Sequence, residues 1–169
     1  MAPQPSIIKL TKYVPVIEGI CLAAFIVGYI MKIQGFSGNE VVIISLSILS
    51  GIYFIGAYTP PPPREADEEN TQKGFGALLG ETIVPKILGI GMSVSVIGIL
   101  FMLQKWNGFR EMLLIGSTAL AGATVVGLVT TLNNEKARRA LGPLFLRAIP
   151  LMLVGIYLLK AYGIAPPVN

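Results

Sequence analysis

Pro15-Val16-Ile17-Glu18-Gly19-Ile20-Cys21-Leu22-Ala23-Ala24-Phe25-Ile26-Val27-Gly28-Tyr29-Ile30-Met31-Lys32 carries a single carboxylate and a terminal lysine in an otherwise uncharged run. A helix of about 17–25 apolar residues crosses the hydrocarbon core of a bilayer, so this run reads as a transmembrane span. Four further runs of the same kind follow, at 41–58, 86–104, 112–131 and 143–160. The whole composition agrees: 53% of residues are hydrophobic, only 13% are charged, and the mean hydropathy is +0.71. Soluble domains carry about 25% charged residues. The expectation is an all-α membrane protein, a five-helix transmembrane bundle. The first run has no small-residue cleavage site after a short apolar core, so it reads as a retained span and not as a signal peptide.

Several chemistries are disfavoured at once. The chain has no histidine, and its one cysteine, Cys21, lies inside the first span. Ligation of haem or a metal by histidine and a disulfide within the chain are therefore excluded. Cys21 reads as a small packing residue. The net charge of +4 is scattered over loops without interleaved aromatic residues, which speaks against nucleic-acid binding. No nucleophile–base pair, no paired mid-membrane carboxylates and no phosphate-cradling glycine loop are present. The expectation is a protein without catalytic activity, cofactor or metal.

Basic residues divide unevenly between the two sides that five spans imply. Lys9, Lys12, Arg64, Lys73, Lys86, Lys136, Arg138, Arg139 and Arg147 fall on one side. Lys32, Lys105, Arg110 and Lys160 fall on the other, and the nine and four together account for all 13. The positive-inside rule then places the N-terminus in the cytoplasm and the C-terminus outside, in a bacterial inner membrane. The organisation read from this is a first hairpin at 1–58, a linker at 59–84, a second hairpin at 85–131, and a fifth helix with a short external tail at 132–169. The linker opens on Pro60 to Pro63, a stiff extended segment, and continues with the charged run Arg64-Glu65-Ala66-Asp67-Glu68-Glu69. That run reads as a solvated linker, with a basic cytoplasmic partner as the alternative.

An internal repeat also suggests itself. The string K-x-x-G occurs at Lys32–Gly35, Lys105–Gly108 and Lys160–Gly163, each time at the end of an apolar run. Pro15, Gly19 and Gly28 match Pro85, Gly89 and Gly98, and Glu40 falls on Glu111 after a one-residue difference in the turn. The expected architecture is two and a half parallel hairpin repeats, related by an axis along the membrane normal.

Two ionisable residues stand well inside spans: Glu18 and Arg147. A charge in a membrane helix is costly and is usually paired or faces water. Their common depth allows an ion pair between the first and fifth spans; snorkelling of both to the headgroups is the alternative. Lys32, Lys105 and Lys160 read as interface anchors. Glu40 and Glu111 suit the starts of the helices that follow and could meet the preceding lysines. Small-residue lines at Ser47 and Gly51, at Gly91 and Ser95, and at Ala119, Ala123 and Gly127 are the expected helix-packing faces. The remaining hydroxyls are expected to bond their own helix backbones.

The turn Lys32-Ile33-Gln34-Gly35-Phe36-Ser37-Gly38 resembles the K-x-x-H-[WF]-P-G turn of GldL, the membrane stator subunit of the Bacteroidetes gliding and type IX secretion motor. Phe54-Ile55-Gly56-Ala57-Tyr58-Thr59-Pro60-Pro61 is similar to that family's F-x-S-A-F-E-P-P exit. The resemblance implies the hairpin shape, an N-terminus-inside topology and an inner-membrane setting. It does not extend to the motor. Gly35 stands at the family's histidine position, and nothing acidic occurs between Val41 and Tyr58, where the family's buried carboxylate would fall near Leu49. Gly155-Ile156-Tyr157-Leu158-Leu159-Lys160 bears a fainter likeness to the DoxX-type small membrane proteins.

These readings favour a non-catalytic multi-pass subunit that packs with other integral membrane proteins or with copies of itself, in contact with lipid. A transporter or proton-coupled stator component is the first alternative. The membrane anchor of a redox enzyme is the second.

Overall fold

The computed structural model describes residues 5–58, 78–133 and 135–163. These form five helices: α1 (Pro5–Ile33), α2 (Asn39–Tyr58), α3 (Val84–Leu103), α4 (Phe109–Asn133) and α5 (Glu135–Leu158). Short π-helical turns at Leu79–Ile83 and Leu159–Gly163 run into α3 and out of α5. All five helices are long and apolar enough to cross a membrane, over Tyr13–Ile33, Asn39–Tyr58, Val84–Leu103, Phe109–Leu132 and Leu141–Tyr162. Among the described residues there is no strand.

The bundle is built around α3, which packs against α2, α4 and α5, while α1 lies on α2. Half of the α3 span is buried inside the chain, against 17% for the spans of α1 and α5, so these two form the rims. Between helices in lipid the hydrophobic effect supplies no drive, and close backbone approach must supply contact instead. Two glycines show this. A Cβ on Gly89 of α3 would stand 2.7 Å from the Ala57 Cβ and 3.1 Å from the Tyr53 carbonyl oxygen of α2. A Cβ on Gly116 of α4 would stand 2.8 Å from the Ser95 amide nitrogen and would run into the Ser95 hydroxyl.

The two turns that join α1 to α2 and α3 to α4 close in the same way. In the first, the Gly35 amide donates to the Lys32 carbonyl (3.2 Å) and the Phe36 amide to the Met31 carbonyl (2.9 Å). In the second, the Lys105 amide donates to the Met102 carbonyl (3.1 Å) and the Trp106 amide to the Phe101 carbonyl (2.8 Å). Both are Schellman endings, which place one residue in the left-handed region and bring an aromatic residue back onto the last turn. Trp106 accordingly meets Phe101 edge-on, with ring centroids 5.2 Å apart.

This corrects the K-x-x-G reading. The left-handed residue is Gly35 (φ 81°) in the first turn but Lys105 itself (φ 57°) in the second. Lys32 sits inside the last turn of α1, whereas Lys105 lies beyond the end of α3, and Lys160 falls within a π-helical turn. The three lysines are therefore not structural equivalents. The residues that do correspond are Gln34 with Gln104 and Phe36 with Trp106. They keep the seventy-residue spacing of Gly28 and Gly98.

Three expected boundaries also shift. Helix α1 starts at Pro5 and carries Pro15 within it, and α5 starts at Glu135 and carries Pro143 and Pro150. An internal proline deletes one backbone hydrogen bond but need not end a helix whose neighbours compensate. Apolar runs mark only the lipid-embedded part of a helix, so its water-side turns were not visible in them. Residues 78–83, read as the end of the linker, are helical and lead directly into α3. The proline run, the acidic run and the tail at 164–169 lie outside the described residues.

Candidate functional site

The two deepest-set ionisable groups meet. Arg147 Nε of α5 lies 3.0 Å from Glu18 Oε2 of α1. The other carboxylate oxygen, Glu18 Oε1, accepts a hydrogen bond from Tyr53 Oη of α2 at 2.6 Å. A length of 2.6 Å lies within the range of charge-assisted O–H···O⁻ bonds. Glu18 is 7% exposed, so water cannot replace these partners. One carboxylate thus joins three helices.

Chain direction explains why these residues reach one another. Glu18 and Arg147 lie five and six residues beyond the starts of their spans, and Tyr53 lies five before the end of its own. At 1.5 Å per residue all three stand about 8–9 Å inside the same end of the bundle. Gly89 sets the lateral distance by letting the Tyr53 turn of α2 close against α3. Cys21, one turn along from Glu18, is a free thiol buried in the core.

With both oxygens engaged, Glu18 is an acceptor that fixes helices. Tyr53 is the member that the sequence reading missed. Its signal was depth: a tyrosine five residues from the C-terminal end of α2 stands at the level of Glu18 on an antiparallel neighbour.

No family model matches the chain, and neither does any curated protein or solved structure.

The other candidate residues separate into distinct settings. Lys32 Nζ donates to the Leu103 carbonyl at 2.8 Å, so this lysine caps the C-terminal end of α3 and clasps the two hairpins together. Lysine at a helix C-terminus is favoured by the exposed carbonyls there. Lys105 and Lys160 are exposed. Glu40 and Glu111 occupy the first turns of α2 and α4 and are exposed. The expected meeting of Lys32 with Glu40 gives way to the Leu103 contact. At the same end, Arg110 Nη2 donates to the Tyr162 carbonyl at 3.3 Å.

The small-residue lines divide. Gly91 and Ser95 of α3 are buried against Leu120 and Gly116 of α4. On α4, Ala123 is buried, Ala119 is half-buried and Gly127 faces Phe145 and Val84. Ser47 is exposed and Gly51 has open space beside it, so the α2 line faces away from the chain. Ser45, Thr118, Thr130 and Thr131 bond their own helices as expected, whereas the buried hydroxyls of Ser95, Ser117 and Thr124 have no hydrogen-bond partner among the described residues. Ser50 departs from that expectation: it meets Ser93 Oγ at 2.8 Å across α2 and α3.

Proposed function

We propose that the chain is a non-catalytic, multi-pass subunit of a larger inner-membrane assembly, packed against the helices of other membrane proteins or of its own copies. Its N-terminus lies in the cytoplasm and its C-terminus outside. The observation that carries this reading is the use made of Glu18. The deepest carboxylate is spent on Tyr53 and Arg147, which ties α1 and α5 to the bundle. A proton-coupled carrier needs such a group free to exchange with water. The outward α2 line of Ser47 and Gly51 offers small residues to a neighbouring helix, the contact type that drives association in lipid.

The likeness of the first hairpin to the GldL hairpin supports the inner-membrane setting. The seventy-residue spacing of the two Schellman turns supports descent from a duplicated hairpin. The reading is tested by extraction from native membranes at low detergent, followed by native mass measurement. A stoichiometric partner or a defined number of copies is expected. A monodisperse single chain that copurifies with nothing overturns the proposal, and proton flux through reconstituted vesicles would replace it with the carrier reading.

A further inference from the structure

We infer that α1 is a hinged strap, seated on α2 at the turn that joins them and latched to the bundle at its other end by Glu18. The two ends of α1 are held in different ways. At the turn, α1 and α2 meet at backbone distance. A Cβ on Gly28 would stand 3.0 Å from the Val41 Cβ and 3.2 Å from the Gly38 carbonyl oxygen. One on Gly38 would stand 2.9 Å from the Lys32 amide nitrogen. Lys32 adds its bond to the Leu103 carbonyl of α3 at the same end. Toward Glu18 the fit loosens: a Cβ on Gly19 would have nothing within 4 Å, and from Tyr13 to Val27 the buried residues are Glu18 and Cys21.

The surrounding lipid decides which of these contacts hold. An apolar contact between helices exchanges for contact with acyl chains at little cost, whereas close backbone approach and interhelical hydrogen bonds are not replaced. Ile17, Cys21 and Phe25 pack on the core but fall in the first class. Closure at this end therefore rests on the carboxylate, which takes Tyr53 of α2 on one oxygen and Arg147 of α5 on the other. Helix α1 packs chiefly on α2, and α5 on α4 and α3, so Arg147 joins two helices that lean on different neighbours.

Loss of charge from either partner leaves α1 seated at Gly28 and able to tilt about it. Glu18 lies ten residues from Gly28, about 15 Å along the helix. The tilt uncovers Cys21 and Tyr53, which are buried while the strap is shut. The inference rests on the Glu18 contacts and not on the chain joining a larger assembly.

The test uses the full chain with Cys21→Ser, reconstituted in phosphatidylcholine bilayers, and pulsed electron resonance between two nitroxides. One pair, on Val16→Cys and Leu146→Cys, brackets the latch; the other, on Ile30→Cys and Tyr157→Cys, lies at the opposite end. All four positions are exposed, so the labels displace no packing. Arg147→Met and Glu18→Gln should each lengthen the first distance by about 5 Å, the arc of a tilt of about 20° over that length. The second distance should stay as it is in the protein with Glu18 and Arg147 intact. An unchanged first distance in either variant, or a second distance that lengthens with it, would overturn the inference.

Discussion

Replacing Arg147 with methionine keeps most of the apolar stem and removes the charge that faces Glu18. Breaking a buried ion pair by deleting one partner costs about 3–5 kcal/mol, because the other charge is left without compensation. Two features of this site reduce that figure. Arg147 is 31% exposed, so part of its charge is already solvated. Tyr53 continues to donate to Glu18 at 2.6 Å. Interhelical hydrogen bonds in membranes contribute about 0.6 kcal/mol on average and up to about 1.7. The expected loss is therefore about 2–3 kcal/mol, a factor of roughly 30–150 in the folding equilibrium. Unfolding in mixed micelles with increasing dodecyl sulfate measures it, with the single tryptophan, Trp106, as reporter against Phe101. The decisive comparison is with Glu18→Gln and with the double variant. Residues in one network should be non-additive, with the double variant losing at least about 1 kcal/mol less than the two singles summed. Additivity within about 0.3–0.5 kcal/mol, or an Arg147→Met protein as stable as the wild type, refutes the claim that this contact holds α5 to α1.

The same unfolding measurement checks four further expectations. Tyr53→Phe should cost about 1 kcal/mol, since it removes one hydrogen bond from Glu18 and leaves the ring in place. Gly116→Val should cost about 3 kcal/mol or prevent assembly of α4 on α3, because Ser95 backbone occupies the space of the new side chain. Gly35→Ala and Lys105→Gly should move stability in opposite directions by about 1 kcal/mol each, since both positions are left-handed. Lys32→Met should cost about 1 kcal/mol through the lost bond to the Leu103 carbonyl, with no effect expected from Glu40→Gln.

How much was legible differs from element to element. The five spans were readable because apolar length is a local property, and each expected run falls on a described helix to within two residues at its C-terminal end. Their water-side ends were not, since Pro5 to Val14 and Glu135 to Gly142 continue as helix without the apolar signal. The depth of Glu18 and Arg147 could be counted along the chain, but no count identifies which faces of α1 and α5 look at each other. Tyr53 escaped notice because a tyrosine near a membrane edge has an adequate explanation as an interfacial residue. The K-x-x-G strings misled for a related reason. A lysine followed by glycine marks a helix end in general, whereas the residue that takes the left-handed conformation is chosen by where the last backbone bonds close.

By itself the sequence determined the number of helices long and apolar enough to cross a membrane and the absence of histidine. Transfer of a side chain from water to hydrocarbon is summed residue by residue, and needs no knowledge of neighbours. Only the tertiary structure decided that α3 is the centre, that the α4 line turns inward while the α2 line turns outward, and that Glu18 is shared by three helices. In a bilayer, lipid tails and protein interior are nearly equivalent for an apolar side chain, so hydrophobicity does not mark the inward face. That choice rests on close fit at Gly89 and Gly116 and on one satisfied carboxylate, which are relations between helices and exist only once the helices have met.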